Sequence, residues 1–302
     1  MKVLVTGGAG FIGSNLVNKL VNLGYQVEVI DNNLNDTSKI NKKANYHDYD
    51  LSLVENFNKV QKILNSVDTV FHLAAKARVQ PSILDPIGYE LNNTLSTVNI
   101  LKASIGANVR RFVYSSSSSV YGNNNNMPLK ESFKPNPLSP YGAQKYYGEV
   151  LCSTFAKVYD IETVSLRYFN VYGEGQTIGG AYSLVIGIFF NQMLKGNPLT
   201  IRGDGNQKRD FTYVGDVVSA NIAASKSSNV GCGEVINIGN GDNRTINQIA
   251  DQFNLEKEYI EPVLEPEETL ADINLAKDLL NWEPTISVES WIKQQINNYE
   301  KK

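Results

Sequence analysis

The sequence has little of several features that mark specialised classes of protein. Its 302 residues include only two cysteines, Cys152 and Cys232, which excludes a disulfide framework and fits a reduced compartment. The two histidines stand far apart and give no metal-ligand spacing. No apolar run approaches the roughly 20 residues that a membrane span needs. Blocks of like charge are missing, and a net charge of -3 provides no field for gripping nucleic acid. These absences predict that metals, membranes and nucleic acids are not partners.

What is present is typical of a cytoplasmic globular protein. Hydrophobic residues make up 42% of the chain and charged residues 20%. The run Met1–Val5 enters a strand at once and leaves no room for a signal peptide. The length favours two lobes over a single core.

The first half of the chain alternates short β-branched runs with segments of helical period. This rhythm predicts the α/β class, with a doubly wound parallel sheet of the Rossmann type covered by helices on both faces. The predicted strands are Lys2–Thr6, Gln26–Ile30, Thr69–Leu73, Arg111–Ser115 and Thr163–Arg167, and the predicted helices are Phe11–Leu23, Val54–Leu64, about Pro86–Ala103 and Pro140–Tyr159.

The rhythm breaks after about residue 168, where loops lengthen and elements mix less regularly. We therefore predict a sheet domain over residues 1–168 and a smaller, substrate-binding lobe over residues 169–302, packed on the carboxyl ends of the strands. The strand-like run Glu234–Ile238 is expected to return to the main sheet.

A glycine-rich loop joins the first strand to the first helix. It reads Thr-Gly-Gly-Ala-Gly-Phe-Ile-Gly from Thr6 to Gly13, and the second strand ends at Asp31, 18 residues past Gly13. Glycines allow a tight turn and a close approach to a pyrophosphate, which the helix amino terminus attracts. A carboxylate at Asp31 accepts hydrogen bonds from ribose hydroxyls and repels a 2′-phosphate. The sequence therefore predicts that the chain binds NAD rather than NADP.

A tyrosine and a lysine stand one helical turn apart where a predicted helix begins. Tyr141 and Lys145 follow Ser139 and Pro140, an N-cap and first-turn pair, and share one helix face. A neighbouring ammonium and the helix dipole both stabilise a phenolate. The strand Arg111–Ser115 runs into further serines, which places hydroxyl groups beside the same crevice. This arrangement predicts a basic tyrosine next to the cofactor.

Six motifs together resemble the extended short-chain dehydrogenase/reductase family. They cover the length of the chain in order, and within the family they are most similar to UDP-glucose and UDP-N-acetylglucosamine 4-epimerases. The motifs are the glycine loop, His72–Ala75 (HLAA), Ser115–Gly122 (SSSSSVYG), Tyr141–Lys145 (YGAQK), Arg167–Gly173 (RYFNVYG) and Arg209–Val214 (RDFTYV).

The resemblance implies NAD-dependent inversion at C4 of a UDP-hexose through a 4-keto intermediate. The implied catalytic residues are Ser117, which hydrogen-bonds the sugar O4, Tyr141, which takes its proton, and Lys145, which lowers the pKa of the tyrosine and holds the nicotinamide ribose. His72 is expected to be structural. The implied cofactor contacts are Gly7, Gly10, Phe11, Ile12, Gly13, Asp31, Asn32, Asp50, Leu51, Leu73, Ala74, Ala75, Asn92, Ser115, Tyr141, Lys145 and Tyr168.

Substrate contacts are implied on both lobes. In relatives, a tyrosine at the position of Thr269 restricts the enzyme to glucose and galactose, whereas small residues admit an N-acetyl group. Relatives also carry a diphosphate-clamping arginine shortly before this position, but residues 259–268 contain none and are rich in carboxylates, which would repel the ligand unless they face solvent. Arg202, Lys208 or Arg209 would then carry more of the charge. The implied contacts are Ser117, Ser118, Tyr141, Asn170, Arg209 and Thr269.

Two serines separate an epimerase from its relatives. Ser118 and Ser119 stand where the sugar dehydratases of the family have Asp-Glu and where UDP-glucuronate decarboxylases have Glu at the second position. A serine is neither a general acid nor a general base at ordinary pH, which leaves return of the hydride as the fate of the keto-sugar.

Three other functions stay open. A UDP-glucuronate 4-epimerase has similar serine runs but needs a donor for the sugar carboxylate, and no such donor is evident in the sequence. A reductase would release its reduced cofactor. A cofactor-sensing protein would bind without turnover. By analogy with relatives, the two long predicted helices are expected to form a homodimer interface.

Overall fold

A computed structural model describes residues 1–176, 178, 184–263 and 265–300. The predicted doubly wound sheet is confirmed as seven parallel strands in the order β11-β6-β5-β4-β1-β2-β3. These strands are β1 (Lys2–Thr6), β2 (Gln26–Asp31), β3 (Asn45–Asp48), β4 (Thr69–His72), β5 (Arg111–Ser117), β6 (Glu162–Tyr168) and β11 (Cys232–Ile238).

Side chains that alternate along the strands supply two separate cores. Val3 and Val5 of β1 point to one face, whereas Leu4 points to the other, and all three are fully buried. The first face packs against α1 (Phe11–Asn22), α8 (Val214–Lys226) and α10 (Asn274–Leu280). The second face packs against α2 (Phe57–Ile63), α5 (Ser96–Gly106) and α6 (Pro140–Val158). A sheet covered on both sides presents only its strand ends to a ligand.

The strand order reverses between β1 and β4. From this point the chain builds outward to β3 on one side and to β6 on the other. The register pairs Thr6 with His72, so the loops that leave these two strands lie side by side. A crevice at such a switch point is where doubly wound sheets bind ligands.

Most differences from the predicted elements are at their ends. β5 continues to Ser117, which brings two more serines into the sheet. The predicted helix Val54–Leu64 begins with a 3-10 turn, Val54–Asn56, before α2. The strand β3 was not predicted because its sequence, Asn-Tyr-His-Asp, is short, polar and only partly buried at the sheet edge.

The helix predicted from about Pro86 to Ala103 is continuous but irregular. It comprises α4 (Pro86–Glu90), a π-helical turn (Leu91–Leu95) and then α5. The turn carries Asn92 and Asn93, and π-helical turns inside α-helices are frequently found at functional sites. A short helix, α3 (Val79–Leu84), precedes it.

The chain beyond residue 168 is divided between the sheet and a smaller lobe. As expected for Glu234–Ile238, β11 joins the main sheet and pairs in parallel with β6. The lobe has its own core, centred on Phe189, Phe190 and Trp291. Its elements are β7 (Val171–Tyr172), α7 (Val185–Leu194), β8 (Leu199–Arg202), β9 (Lys208–Asp210), β10 (Thr212–Tyr213), β12 (Asn243–Thr245), α9 (Ile246–Asp251), β13 (Lys257–Ile260) and α11 (Val288–Glu300).

Within the described ranges, no helix combines the length and apolar character of a membrane span. Among the same residues, no three His, Cys, Asp or Glu side chains are grouped so as to hold a metal ion.

Candidate active site

The glycine loop leaves no space for side chains. Gly7 has a φ of 70°, and a Cβ placed there would lie 2.7 Å from the backbone nitrogen of Ala74. A Cβ on Gly13 would lie 2.0 Å from the carbonyl oxygen of Gly7. Gly10 is the N-cap of α1 and has no side chain to occupy the first-turn N–H groups of Phe11 and Ile12. This end of α1 therefore suits the phosphates of a dinucleotide.

Asp31 lies at the end of β2 with both carboxylate oxygens held by the backbone. Oδ2 accepts a hydrogen bond from the amide of Ala9 at 2.9 Å, and Oδ1 accepts one from Asn33 at 2.9 Å. Burial raises the pKa of Asp31, while the amides of Ala9 and Asn33 oppose the shift. The carboxylate is thus fixed next to the glycine loop, and each oxygen retains a lone pair for a ribose hydroxyl.

A small hydrogen-bonded network lies beyond Asp31, after the ends of β2 and β3. Asn32 donates to the Asp50 carboxylate at 3.2 Å, and the Ser52 hydroxyl donates to the same group at 2.6 Å. Leu51 is buried behind it. The structure therefore brings Asn32, Asp50 and Leu51 to the β2 side of the crevice.

The loop after β4 contacts the glycine loop directly. The amide of Leu73 donates to the carbonyl of Thr6 at 3.1 Å, and the amide of Ala74 donates to its hydroxyl at 3.2 Å. Ala75 follows in the same loop. Asn92 lies on the π-helical turn, but its side-chain nitrogen Nδ2 donates to the carbonyl of Gly88 in the same helix at 2.8 Å.

His72 is buried and both of its ring nitrogens are hydrogen-bonded, which fits the structural role expected for it. Its ring bonds to Thr6 Oγ1 through Nδ1 at 2.7 Å and to Thr97 Oγ1 through Nε2 at 2.9 Å. Burial lowers its pKa to about 3, so the ring stays neutral.

The serine run divides into buried and accessible members. Ser115 bonds to the Tyr168 hydroxyl at 3.0 Å, and Tyr168 is also bonded to Asn221. Both hydroxyls predicted to contact the cofactor therefore have protein partners. Ser117 ends β5, and Ser118 begins a 3-10 turn that extends to Tyr121.

The three predicted catalytic residues converge at this end of β5. The Ser117 hydroxyl lies close enough to the Tyr141 phenol to oppose the rise in its pKa. Lys145 is 5% exposed, and its Nζ donates to the carbonyl of Ser115 at 2.8 Å. Ser139 caps α6 by accepting from the amide of Gly142 at 3.1 Å, which confirms the predicted start of the helix. One helix turn and one strand end thus place a phenol, a hydroxyl and an amine together.

The protonation of this group is governed by burial. Burial raises the pKa of Tyr141, and the nearby Ser117 hydroxyl and the positive charge of Arg78 oppose the shift. Burial also lowers the pKa of Lys145 to about 8, so most molecules carry an ammonium at pH 7. The Lys145 Nζ lies 6.0 Å from the centroid of the Tyr141 ring. That Lys145 lowers the tyrosine pKa stays a prediction.

The sequence analysis missed Arg78, although its position is unusual. It is the N-cap of α3 and has a φ of 121°, which side-chain-bearing residues rarely adopt. The loop around it is anchored, because Asn93 accepts from the amide of Lys76 at 2.8 Å and donates to Gln144 of α6 at 3.0 Å. The Ser82 hydroxyl of α3 accepts from the amide of Tyr141 at 3.2 Å. These contacts hold Arg78 at the catalytic end of α6.

A buried network behind the site was also missed. Glu149 of α6 pairs with Arg167 of β6 at 2.7 Å, and Ser116 of β5 donates to the same carboxylate at 2.5 Å. All three side chains are buried. The network fixes the distance between α6, which carries Tyr141, and β5, which carries Ser117.

The predicted substrate residues of the second lobe are joined by Thr269. Its hydroxyl accepts from the amide of Asp210 at 3.3 Å and from Asn170 at 3.4 Å. Arg209 lies next to Asp210 on β9 and is 7% exposed. The carboxylates near Thr269 do not all face solvent, because Glu265 lies 2.8 Å from the Arg209 guanidinium and Glu268 lies 3.6 Å from the Lys208 amine.

Asp210 holds these loops together. Its carboxylate is fully buried and accepts from the amides of Asn240, Gly241 and Ala271 at 2.6, 3.1 and 3.0 Å. Burial raises its pKa to about 7. No spacing in the sequence distinguishes this aspartate from a solvated one.

The fold and the site define a nucleotide-cofactor enzyme of the extended short-chain dehydrogenase/reductase type. Residues 3–239 match the NAD dependent epimerase/dehydratase family, and the chain belongs to that family. Its cofactor is NAD, and the tight glycine loop, the open end of α1 and the anchored Asp31 fit that cofactor.

Three relatives carry the comparison further. A putative UDP-glucose 4-epimerase of Methanocaldococcus jannaschii is 39% identical over 98% of this chain and 97% of its own. A UDP-N-acetylglucosamine 4-epimerase from Methanobrevibacter ruminantium M1, solved with UDP-N-acetylmuramic acid, is 35% identical with a TM-score of 0.91, covering 99% of this chain and 98% of the other. A UDP-glucuronic acid 4-epimerase from Bacillus cereus, solved with UDP-glucuronic acid and NAD, is 34% identical with a TM-score of 0.87, covering 100% and 99%.

Proposed function

We propose that this enzyme is a UDP-hexose 4-epimerase that interconverts UDP-glucose and UDP-galactose and also accepts UDP-N-acetylglucosamine and its galacto epimer. The observation that supports this most directly is the convergence of Ser117, Tyr141 and Lys145 where β5 ends and α6 begins. The 4-epimerase relatives, which match nearly the whole chain, support the same reaction.

The residues of the chain have distinct parts in the proposed reaction. Ser117 hydrogen-bonds the O4 hydroxyl, and Tyr141 removes its proton as C4 is oxidised, then returns a proton to O4 when C4 is reduced. Bound NAD supplies the reversible oxidation of C4. Lys145, anchored on the carbonyl of Ser115, positions the cofactor end of the site and adds positive charge.

The neighbouring serines limit the reaction to epimerisation. Ser118 and Ser119 cannot act as a general acid or base at neutral pH, so no group at these positions removes water or promotes decarboxylation. The hydroxyl of Ser119 accepts a hydrogen bond from Ser117 at 3.1 Å. The keto-sugar is therefore expected to persist until C4 is reduced from one face or the other.

Thr269 supports acceptance of an N-acetyl group. Its side chain is small, 6% exposed and hydrogen-bonded to Asp210 and Asn170. It therefore projects less volume towards a sugar than the tyrosine that restricts relatives. The same contacts also fit a purely structural role, which activity on UDP-N-acetylglucosamine would separate.

UDP-glucuronate is a second candidate substrate because of Arg78. The sequence analysis found no donor for a sugar carboxylate, whereas in the structure the positive charge of Arg78 acts on the pKa of Tyr141, which puts this guanidinium in the same region of the site. A planar guanidinium suits bidentate binding of a carboxylate. The strained φ of Arg78 is consistent with a functional requirement at this position.

Separate incubations with UDP-glucose, UDP-N-acetylglucosamine and UDP-glucuronate test these proposals. NMR of the sugar H4 signal is expected to show equilibration with the galacto form for the first two and no net NADH. If only UDP-glucuronate reacts, and Arg78→Gln abolishes that activity, the second candidate is correct. Stoichiometric NADH would indicate a reductase, and turnover of none of the three by NAD-loaded protein would refute the epimerase.

A further inference from the structure

The guanidinium of Arg209 is buried and immobilised by its own lobe. Its Nη1 donates to the carbonyl of Lys208 at 2.8 Å and to that of Glu267 at 3.4 Å. The residue is only 7% exposed. A buried guanidinium keeps its proton at all ordinary pH values and therefore needs an anion close by.

Glu265 supplies that anion. Its Oε2 lies 2.8 Å from Nη2 of Arg209, and its Oε1 accepts a hydrogen bond from the side-chain amide of Gln207 at 3.4 Å. The contact with Nη2 is an ion pair by distance but not an aligned hydrogen bond, and Nη2 has no aligned acceptor among the described residues. The carboxylate thus compensates the charge of Arg209 but leaves the hydrogen-bonding capacity of Nη2 unused.

The other carboxylates of this segment are directed elsewhere. Glu268 lies 3.6 Å from the Lys208 amine and accepts from Asn243 at 2.8 Å. The side chain of Glu267 is exposed, and only its carbonyl contacts Arg209. Within the described ranges, Glu265 is therefore the one carboxylate that is ion-paired with this guanidinium.

We propose that Glu265 competes with the diphosphate of the substrate for Arg209 and thereby sets the affinity for the nucleotide. This inference depends on the proposed function, in which Arg209 binds a UDP-sugar. A phosphate oxygen aligned on Nη2 replaces the misaligned carboxylate. The displaced Glu265 side chain, already 36% exposed, is then solvated. Because one ion pair is exchanged for another, the diphosphate contributes less binding energy than it would at an uncompensated arginine.

Three substitutions separate this contact from the general charge of the segment. Glu265→Gln removes the competing charge and keeps the shape of the side chain. Glu265→Asp keeps the charge but shortens its reach towards Arg209. Glu267→Gln is the matched control. It removes an equal charge two residues further along the chain, where the side chain does not contact the guanidinium.

Calorimetric titration of the NAD-loaded protein with UDP measures the effect. We expect Glu265→Gln to lower the Kd by about three- to tenfold, because a partly exposed ion pair no longer has to be broken. Glu265→Asp is expected to change the Kd in the same direction but less, and Glu267→Gln is expected to leave it within twofold of the wild type.

The outcomes are distinguishable from failure of the proposed function. An unchanged or weaker affinity in Glu265→Gln, in a protein that still epimerises a UDP-sugar, overturns the competition and leaves the function standing. An equal gain in Glu267→Gln also overturns it, since general charge would then be the cause. A wild-type protein that neither binds UDP nor turns over a UDP-sugar overturns both.

Discussion

Substitution of Gly13 by alanine is expected to damage cofactor binding far more than its size suggests. The added Cβ would lie 2.0 Å from the carbonyl oxygen of Gly7, about 1.4 Å short of the 3.4 Å at which ordinary contact begins. No side-chain rotation relieves the overlap, because both partners are backbone. Gly7 is also fixed from both sides, since its amide donates to Ile30 at 2.8 Å and its carbonyl accepts from Gly10 at 3.1 Å.

The expected losses of stability and of NAD affinity depend on which part of the structure shifts to relieve the overlap. Either the glycine loop shifts or α1 does, and α1 is held by Leu16, Val17 and Leu20 in the core. Overpacking of this kind costs about 1–3 kcal/mol of stability. A loop shift also misplaces the first-turn N–H groups, and a hydrogen bond to a charged group contributes about 1.5–3 kcal/mol. Losing one such bond weakens NAD binding by about ten- to a hundredfold.

The assay compares Gly13→Ala with Gly24→Ala, a glycine beyond the other end of the same helix. Gly24 has a φ of 82° but nothing within 4 Å of an added Cβ, so its substitution strains the backbone without a clash. Urea denaturation measures stability, and calorimetry measures the Kd for NAD. Both variants should be less stable, but only Gly13→Ala should bind NAD weakly. Equal NAD affinity in Gly13→Ala and wild type would refute the packing argument.

Three further predictions concern other parts of the molecule. Tyr141→Phe removes the proton acceptor and should retain NAD while lowering epimerisation by orders of magnitude; normal turnover excludes Tyr141 as the base. Leu84 and Ile87 are 87% and 75% exposed near the long helices. The double substitution Leu84→Glu with Ile87→Glu should therefore convert the predicted homodimer into a monomer, as measured by light scattering. A monomeric wild type contradicts the prediction. Because the pKa of Asp210 is raised to about 7, its stabilisation is complete below its unfolded pKa and is lost as the pH rises through 7. The unfolding free energy of wild type minus Asp210→Asn should therefore fall between pH 5 and pH 8 in urea titrations, and a constant difference contradicts this.

Most strands of the sheet, though not their order, were predictable because local patterns carry them. Buried parallel strands contain nearly continuous apolar runs, such as Val3–Val5 in β1, and the glycine loop marks where the first strand ends. β3 lacks such a pattern. It forms a strand because it pairs with β2, not because its own residues favour one. The π-helical turn at Leu91–Leu95 was not predicted either, because it differs from an α-helix only in its hydrogen bonding.

The grouping of Ser117, Tyr141 and Lys145 was predictable from the sequence, but its electrostatic environment was not. The spacing of Tyr141 and Lys145 indicates a shared helix face. The positive charge of Arg78, however, also acts on the pKa of Tyr141, although Arg78 lies 63 positions earlier in the chain and its segment reaches the site through the contact of α3 with α6. In the same way, the carboxylates near Thr269 appeared to repel a diphosphate until the structure paired Glu265 with Arg209. Contacts between distant segments determine the electrostatic environment of these side chains, and such contacts cannot be predicted from residue spacing in one sequence.

The two ends of the site are built with different tolerance for change. Ser117 and Tyr141 are held by the sheet, by α6 and by the buried pair of Glu149 and Arg167, where removal of one partner would leave an uncompensated charge. Arg209 and Thr269 lie on short strands and loops tied mainly through Asp210, whose amide donates to Thr269 and whose carboxylate accepts from Ala271. If these residues bind the sugar as proposed, substitutions at this second end would reshape the sugar site without moving Ser117 and Tyr141. Relatives of 34–39% identity, which are described as 4-epimerases of UDP-glucose, UDP-N-acetylglucosamine and UDP-glucuronic acid, would then differ mainly at this end of one scaffold.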